Sequence, residues 1–139
     1  MLYYNPVMLA RRLSTLDVLS NGRLRVGMGL GWSKDEFDAM GVSLGERGAR
    51  ADEFMAVLKA IWTSDPVEFQ GKFYRIPRSI IQPKLLQKPY PPIYLAAFAP
   101  PALRRLAQWA DGWNPAGIPI TGFFAYPPVE VYFRSTCVA

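Results

Sequence analysis

The apolar positions along the chain change period several times, and each change marks an element. Asn5-Pro6 predicts a helix start: asparagine can accept hydrogen bonds from free N–H groups, and proline suits the first helical position. Leu9, Leu13, Leu16 and Leu19 follow at near-helical spacing until Asn21-Gly22, a pair suited to the left-handed backbone of a helix end. From Arg23 to Gly31 large apolar residues alternate with Arg or Gly, which predicts a strand lacking bulk at every second position. Trp32 to Gly45 reads as a polar loop with a short helical turn through Asp35-Glu36-Phe37. Arg47 to Trp62 is an amphipathic helix with Phe54, Val57, Leu58 and Ile61 on one face. Glu46, Asp52 and Glu53 lie towards its start, where the helix dipole favours acids.

Thr63 to Pro66 breaks that helix, and Val67 to Ile76 predicts a β-hairpin turning near Gln70-Gly71. Pro77 to Pro92 is an irregular connection, Ile93 to Ala97 a buried strand, and Pro101 to Ala110 a helix with Leu103, Leu106, Ala107 and Ala110 inward. Asp111 to Asn114 starts a further short strand, and Val129 to Phe133 could form another. Strands separated by helices imply an α/β fold with a parallel sheet. The periodicity fits an open sheet and an arc of a barrel equally well.

Length narrows the choice of architecture. The 139 residues suffice for one domain, whereas a complete (β/α)8 barrel takes roughly 250. Half the residues are hydrophobic, which favours a packed core over disorder. Most of the 13 prolines follow Ser64, so loops concentrate in the second half.

The formal charge is +5, but Arg11-Arg12, Arg23, Arg25, Arg47, Arg50 and Arg104-Arg105 are scattered rather than interleaved with aromatics. Nucleic acid is therefore not an expected partner. A single cysteine, Cys137, and no histidine exclude a disulfide, thiol–imidazole catalysis and the usual zinc sets within this chain. Asp35, Glu36 and Asp38 stand beside Lys34 without a ligand pattern, so no metal is expected. Residues 1–6 lack a signal-peptide layout, and no apolar run reaches the ~20 residues of a membrane span, so a cytoplasmic location without membrane contact is expected.

Three stretches, taken in order, resemble the luciferase-like monooxygenase superfamily, especially its deazaflavin-dependent branch. The first is Leu16-Asp17-Val18-Leu19-Ser20-Asn21-Gly22-Arg23-Leu24 running into Val26-Gly27-Met28-Gly29-Leu30-Gly31-Trp32. The second is Phe37, Gly41-Val42, Glu46-Arg47-Gly48 and Asp52-Glu53, leading to Leu58, Ile61 and Trp62. The third is Lys88-Pro89, Pro91-Pro92-Ile93, Leu103-Arg104-Arg105-Leu106-Ala107 and Ala110-Asp111-Gly112-Trp113.

The resemblance implies a partial TIM (β/α)8 barrel of the bacterial-luciferase-like type, with parallel strands and a β-hairpin insertion. Residues 1–120 would be its middle part, from before the fourth strand to about the sixth. Residues 121–139 form an atypical tail without the expected helix, and read as a truncated or frame-shifted end.

The resemblance further implies an oxidoreductase or monooxygenase that uses FMN or the deazaflavin coenzyme F420. Such an enzyme passes a hydride to or from a small organic substrate, or activates dioxygen, with the ring lying across the C-terminal strand ends. Gly29, Gly31 and Trp32 would border the ring, and Trp113 with Asn114 could do so from another strand. The loop Ala97-Phe98-Ala99 would cradle the phosphate at the following helix start. The family often has Gly and Ser in that loop. Here hydroxyls are missing and Pro100-Pro101 removes two donors, leaving the N–H groups of Phe98, Ala99 and Ala102. Asp111 is expected to close the helix–strand turn, and no residue stands out as a catalyst. The rival function is a non-catalytic barrel fragment that self-associates, and a homo-oligomer is expected. A weaker third is a small anion-binding α/β module.

Overall fold

The structure of the protein, a computed structural model, describes residues 1–114. The expectations for residues 115–139, including the atypical tail, Cys137 and a strand over Val129–Phe133, fall outside the described residues.

The first helix, α1 (Pro6–Leu19), starts where Asn5-Pro6 predicts: the Asn5 side chain accepts the Val7 N–H at 2.9 Å. It stops at the Asn-Gly pair, with Asn21 at φ 53° and Gly22 at φ 73°, and the Gly22 N–H bonds to the Asp17 carbonyl at 2.8 Å. Its buried face is not made by the leucines that mark its period. Pro6, Ala10, Ser14 and Asp17 face inward, Leu9 and Leu13 are partly buried, and Leu16 and Leu19 are exposed. Small side chains at the contact let α1 lie close against the third helix, near enough for the Trp62 Nε1–H to reach the Ala10 carbonyl at 3.4 Å.

The strand β1 (Val26–Met28) is shorter than the alternation predicts. The Arg23 side chain folds back on the Ser20 carbonyl at 2.8 Å, and Gly31 leaves the extended region at φ 90°. The connection that follows contains α2 (Lys34–Ala39), capped by Ser33, and a 3-10 turn (Leu44–Glu46). The next helix, α3 (Arg47–Thr63), buries Phe54, Val57, Leu58 and Ile61 as predicted, together with Ala51, Met55 and Trp62.

Glu46 stands at the N-cap of α3 and pairs with Lys72, but the other two acids do not serve the dipole. Neither lies in the first turn, and Asp52 and Glu53 bond sideways instead. Glu53 accepts the N–H groups of Lys72, Phe73 and Tyr74 at 3.0, 2.8 and 2.7 Å. This fastens the hairpin of β2 (Val67–Gln70) and β3 (Arg75–Ser79) to α3. The hairpin turn spans residues 71–74, closed by Gly71 N–H to Tyr74 O at 2.9 Å, one step beyond the expected position. A side chain at Gly71 would collide with the Glu53 carboxylate.

The last described elements are β4 (Ile93–Leu95), α4 (Pro100–Trp109) and β5 (Gly112–Trp113). The strands β1, β4 and β5 form one parallel sheet in that order, with Val26 opposite Ile93 and Leu95 opposite Trp113. One face of it, Val26, Met28, Ile93, Leu95 and Ala97, is buried. The alternate positions are open: Gly27 is exposed, and the Tyr94 ring lies over Gly112 with its hydroxyl accepting from Arg25 Nη1 at 3.1 Å. Helices on one face of a parallel sheet give the α/β class expected. Helix α4 packs Leu106 and Ala110 against the core as predicted, with one exception. Ala107 is exposed, because Arg105 and Trp109 take the side facing α3 and bond to Asp52.

Asp17, fully buried, accepts the Leu86 N–H at 2.8 Å, the Gln87 N–H at 3.0 Å and Gln87 Nε2–H at 2.7 Å. Burial alone would push its carboxyl up, but the bonds from Gln87 and Leu86 outweigh this and hold it below the usual carboxylate value. A depressed folded value contributes stability above the unfolded value near ~3.9 and loses it as pH falls through the folded value. The melting temperature should therefore fall steeply below about pH 4. Asp17→Asn should cost about 2 kcal/mol at neutral pH and flatten that acid limb, as followed by circular dichroism.

Candidate cofactor site

Parallel pairing puts the C-terminal ends of β1, β4 and β5 at the same end of the sheet. The Met28 carbonyl accepts the Ala96 N–H, and the Leu95 carbonyl accepts the Asn114 N–H, both at 2.9 Å. Gly29, the loop of residues 96–99 and the Trp113-Asn114 pair thus stand side by side.

The expected site residues divide into two groups. At Gly29 a Cβ would meet only the Ala96 Cβ at 3.7 Å, an ordinary contact, so the fold does not require glycine there. At Gly31 the φ is 90° and a Cβ would come 2.7 Å from the Tyr3 hydroxyl and 3.1 Å from Phe37. That glycine is required by the chain's own packing. Trp32, next to it, is 88% exposed, an unusual state for a large aromatic side chain. Ala97 is buried, and its carbonyl accepts Trp113 Nε1–H at 2.9 Å. That bond fixes the indole beside the Phe98 ring, at 6.4 Å and edge-to-face. Ala99 caps α4. The structure therefore joins Ala97, Phe98 and Trp113 and sets Gly29 next to Ala96 on the neighbouring tip, while Gly31 packs towards Tyr3 and Phe37 of α2.

The α4 start differs from expectation in one donor. The Ala102 N–H already bonds to the Ala99 carbonyl at 2.8 Å, and the Leu103 N–H does so at 3.0 Å. With prolines at 100 and 101, the backbone donors left at this end are those of Phe98 and Ala99. Asp111 stands in the helix–strand turn, where its carboxylate accepts the Ile93 N–H at 2.9 Å and ties the turn to the start of β4.

Two nearby features were missed in the sequence. Tyr3, before the first periodic residues, packs edge-to-face on Phe37 at 5.1 Å, with its hydroxyl buried and lacking a hydrogen-bond partner among the described residues. Burial, and then the Glu36 carboxylate, push the Tyr3 phenol up. Arg25 and Tyr94 pair across the open sheet face, and the alternation of Arg25 with Gly27 and Gly29 was the available signal.

A shallow polar cavity lined by Trp62, Thr63, Ser64, Asp65, Lys84 and Lys88 lies at the other end of the fold. There Lys84 Nζ closes the α3 C-terminus through the Ile61 and Ser64 carbonyls, at 3.2 and 3.0 Å. Of its two lysines Lys84 is occupied in capping the helix, and the strand tips remain the candidate site.

A model of the family described as luciferase-like monooxygenase matches residues 1–123. The chain is 37% identical over 113 residues to an FMNH(2)-dependent dimethylsulfone monooxygenase of Pseudomonas putida, covering 79% of this chain and 31% of that protein. Among solved structures, the monooxygenase RslO1 from Streptomyces bottropensis superposes with a TM-score of 0.71 at 33% identity, over 77% of this chain and 33% of the other. An F420-dependent secondary alcohol dehydrogenase in complex with an F420-acetone adduct gives a TM-score of 0.69 at 26% identity, over 79% of this chain and 34% of the other. The chain thus spans about a third of the length of these relatives.

The two glycines should separate on substitution. Gly31→Ala should cost about 1–3 kcal/mol of stability from backbone strain and the Tyr3 collision. Gly29→Ala should leave the melting temperature nearly unchanged. Thermal melts of both variants check this.

Proposed function

The chain belongs to the luciferase-like monooxygenase family, and on that premise we propose that it forms part of a flavin- or deazaflavin-dependent oxidoreductase whose cofactor ring lies across the tips of β1, β4 and β5. The observation that carries this reading is the level alignment of three parallel strand ends, with unobstructed backbone at Gly29 next to Ala96 and the aromatic pair Phe98 and Trp113 on the neighbouring tips. Trp32, exposed on the connection leaving β1, supplies a further apolar surface at that end. FMN and F420 are the two cofactor types expected, because relatives of both kinds share this fold.

The chain's own contribution is to bind and orient. Gly29 lets a flat ring approach the main chain. Trp113, pinned through Ala97, offers a fixed apolar wall, and Phe98 extends it. Together they would exclude water from one side of the ring. The bound cofactor supplies the redox chemistry, hydride transfer or dioxygen activation, and the protein supplies position and electrostatics. The substrate is proposed to be a small organic molecule.

A second reading, self-association without catalysis, is favoured by one observation. Met8, Leu16, Val18 and Leu19 are exposed on α1, Leu19 by 76%, and β1 pairs only with β4 among the described residues. The two readings separate in one experiment on the purified chain. Titration with FMN and with coenzyme F420, followed by ligand fluorescence, should give saturable quenching for at least one of them. The signal should weaken in Gly29→Ala. A dimer by light scattering with no quenching by either cofactor would favour the second reading.

A further inference from the structure

The β4–α4 turn carries the aromatic wall proposed above and also forms the start of a ten-residue helix, the usual seat for a ligand phosphate. The chemistry of that start is poor for the purpose. Residues 97–101 are Ala, Phe, Ala, Pro and Pro, so no hydroxyl, amide or cationic side chain stands there. Both prolines lack an N–H. Ala102 and Leu103, the next two donors, are engaged by the Ala99 carbonyl at 2.8 and 3.0 Å. No side chain caps the helix.

The cations of α4 do not fill the gap. Arg105 is held by both oxygens of Asp52, at 2.7 and 2.9 Å, with little exposure. Arg104 lies on the exposed side of α4, with Pro101 and Gln108. At the next strand tip, Lys34 is paired with Asp38. Charge-assisted bonds to a phosphate would each be worth roughly tenfold or more in affinity, and among the described residues the β4–α4 turn itself offers at most the N–H groups of Phe98 and Ala99.

What the same turn does offer is apolar and flat. Ala97 is buried, and Phe98 and Trp113 stand edge-to-face above it. We infer that this chain selects its cofactor by the ring and is nearly indifferent to the phosphate, so that unphosphorylated riboflavin binds within about threefold of FMN. This rests on the ring site proposed above. The residues that set the indifference are Pro100 and Pro101, together with the Ala99 carbonyl that engages the next two N–H groups.

Parallel titrations of the full 139-residue chain with riboflavin and FMN, followed by flavin fluorescence, test this. The expected result is two dissociation constants within about threefold of each other, with no competition from millimolar inorganic phosphate. Pro101→Ala, which returns one N–H to the first turn, should then tighten FMN by roughly tenfold and leave riboflavin unchanged. FMN binding tenfold or more tighter than riboflavin to the unaltered chain, or displacement by phosphate alone, would overturn the inference and leave the ring site standing. Binding of coenzyme F420 with neither flavin bound would overturn the inference and leave the ring site standing, whereas absence of binding by all three would remove the ring site itself, and the inference with it.

Discussion

The Asp17 carboxylate sits near the C-terminal end of α1 out of reach of water, and it is stabilised there by a loop some seventy residues further along the chain. Gln87, which donates to it, also donates to the Leu24 carbonyl at 2.9 Å, just ahead of β1. One side chain therefore ties the end of α1, the entry to β1 and the approach to β4 into a single knot. Above the knot the ladder continues in step, from Val26 N–H with Pro92 O to Ala96 N–H with Met28 O, both at 2.9 Å. Because the two strands start level, they finish level. The candidate site at their tips is a consequence of register set at the opposite end of the sheet.

Two further carboxylates do similar work for the helical layer. Glu53 holds the hairpin onto α3 through three backbone N–H groups, and Asp52 holds α4 through Arg105 and Trp109. Lys59 adds a bond to the Trp109 carbonyl at 2.9 Å. Helix α4 has no fully buried residue, so these polar tethers carry much of its attachment. They determine where Ala99 and the turn before it stand relative to Trp113. The path from sequence to site thus runs through buried or half-buried acids rather than through the apolar core alone.

The parts legible in the sequence were those written in local pattern. The cap at Asn5, the stop at Asn21-Gly22 and the apolar face of α3 follow from neighbours a few residues apart, and the parallel pairing of β1 with β4 follows from the alternation of strands and helices. What was not legible depended on distant partners. The leucines of α1 gave its helical period but not its buried face, which the small residues Ala10 and Ser14 form against α3. Asp52 and Glu53 looked like dipole acids because their true partners lie 19 to 57 residues away. At the tips, the alternating glycines drew attention to the right strand end. Composition could not separate Gly31, whose absent Cβ makes room for Tyr3, from Gly29, which nothing in the described chain obliges to be glycine. Trp113 and the loop of residues 97–99 were reached through family resemblance, since two short apolar segments carry no local sign of a ligand.

The central claim is that level strand tips present bare backbone and a fixed aromatic wall to a flat ring. A crystal structure of the chain saturated with FMN tests it most directly. The account predicts the isoalloxazine ring in van der Waals contact with Gly29, Phe98 and Trp113. A ring bound instead beside Trp62 and Lys88, at the far end of α3, would contradict it.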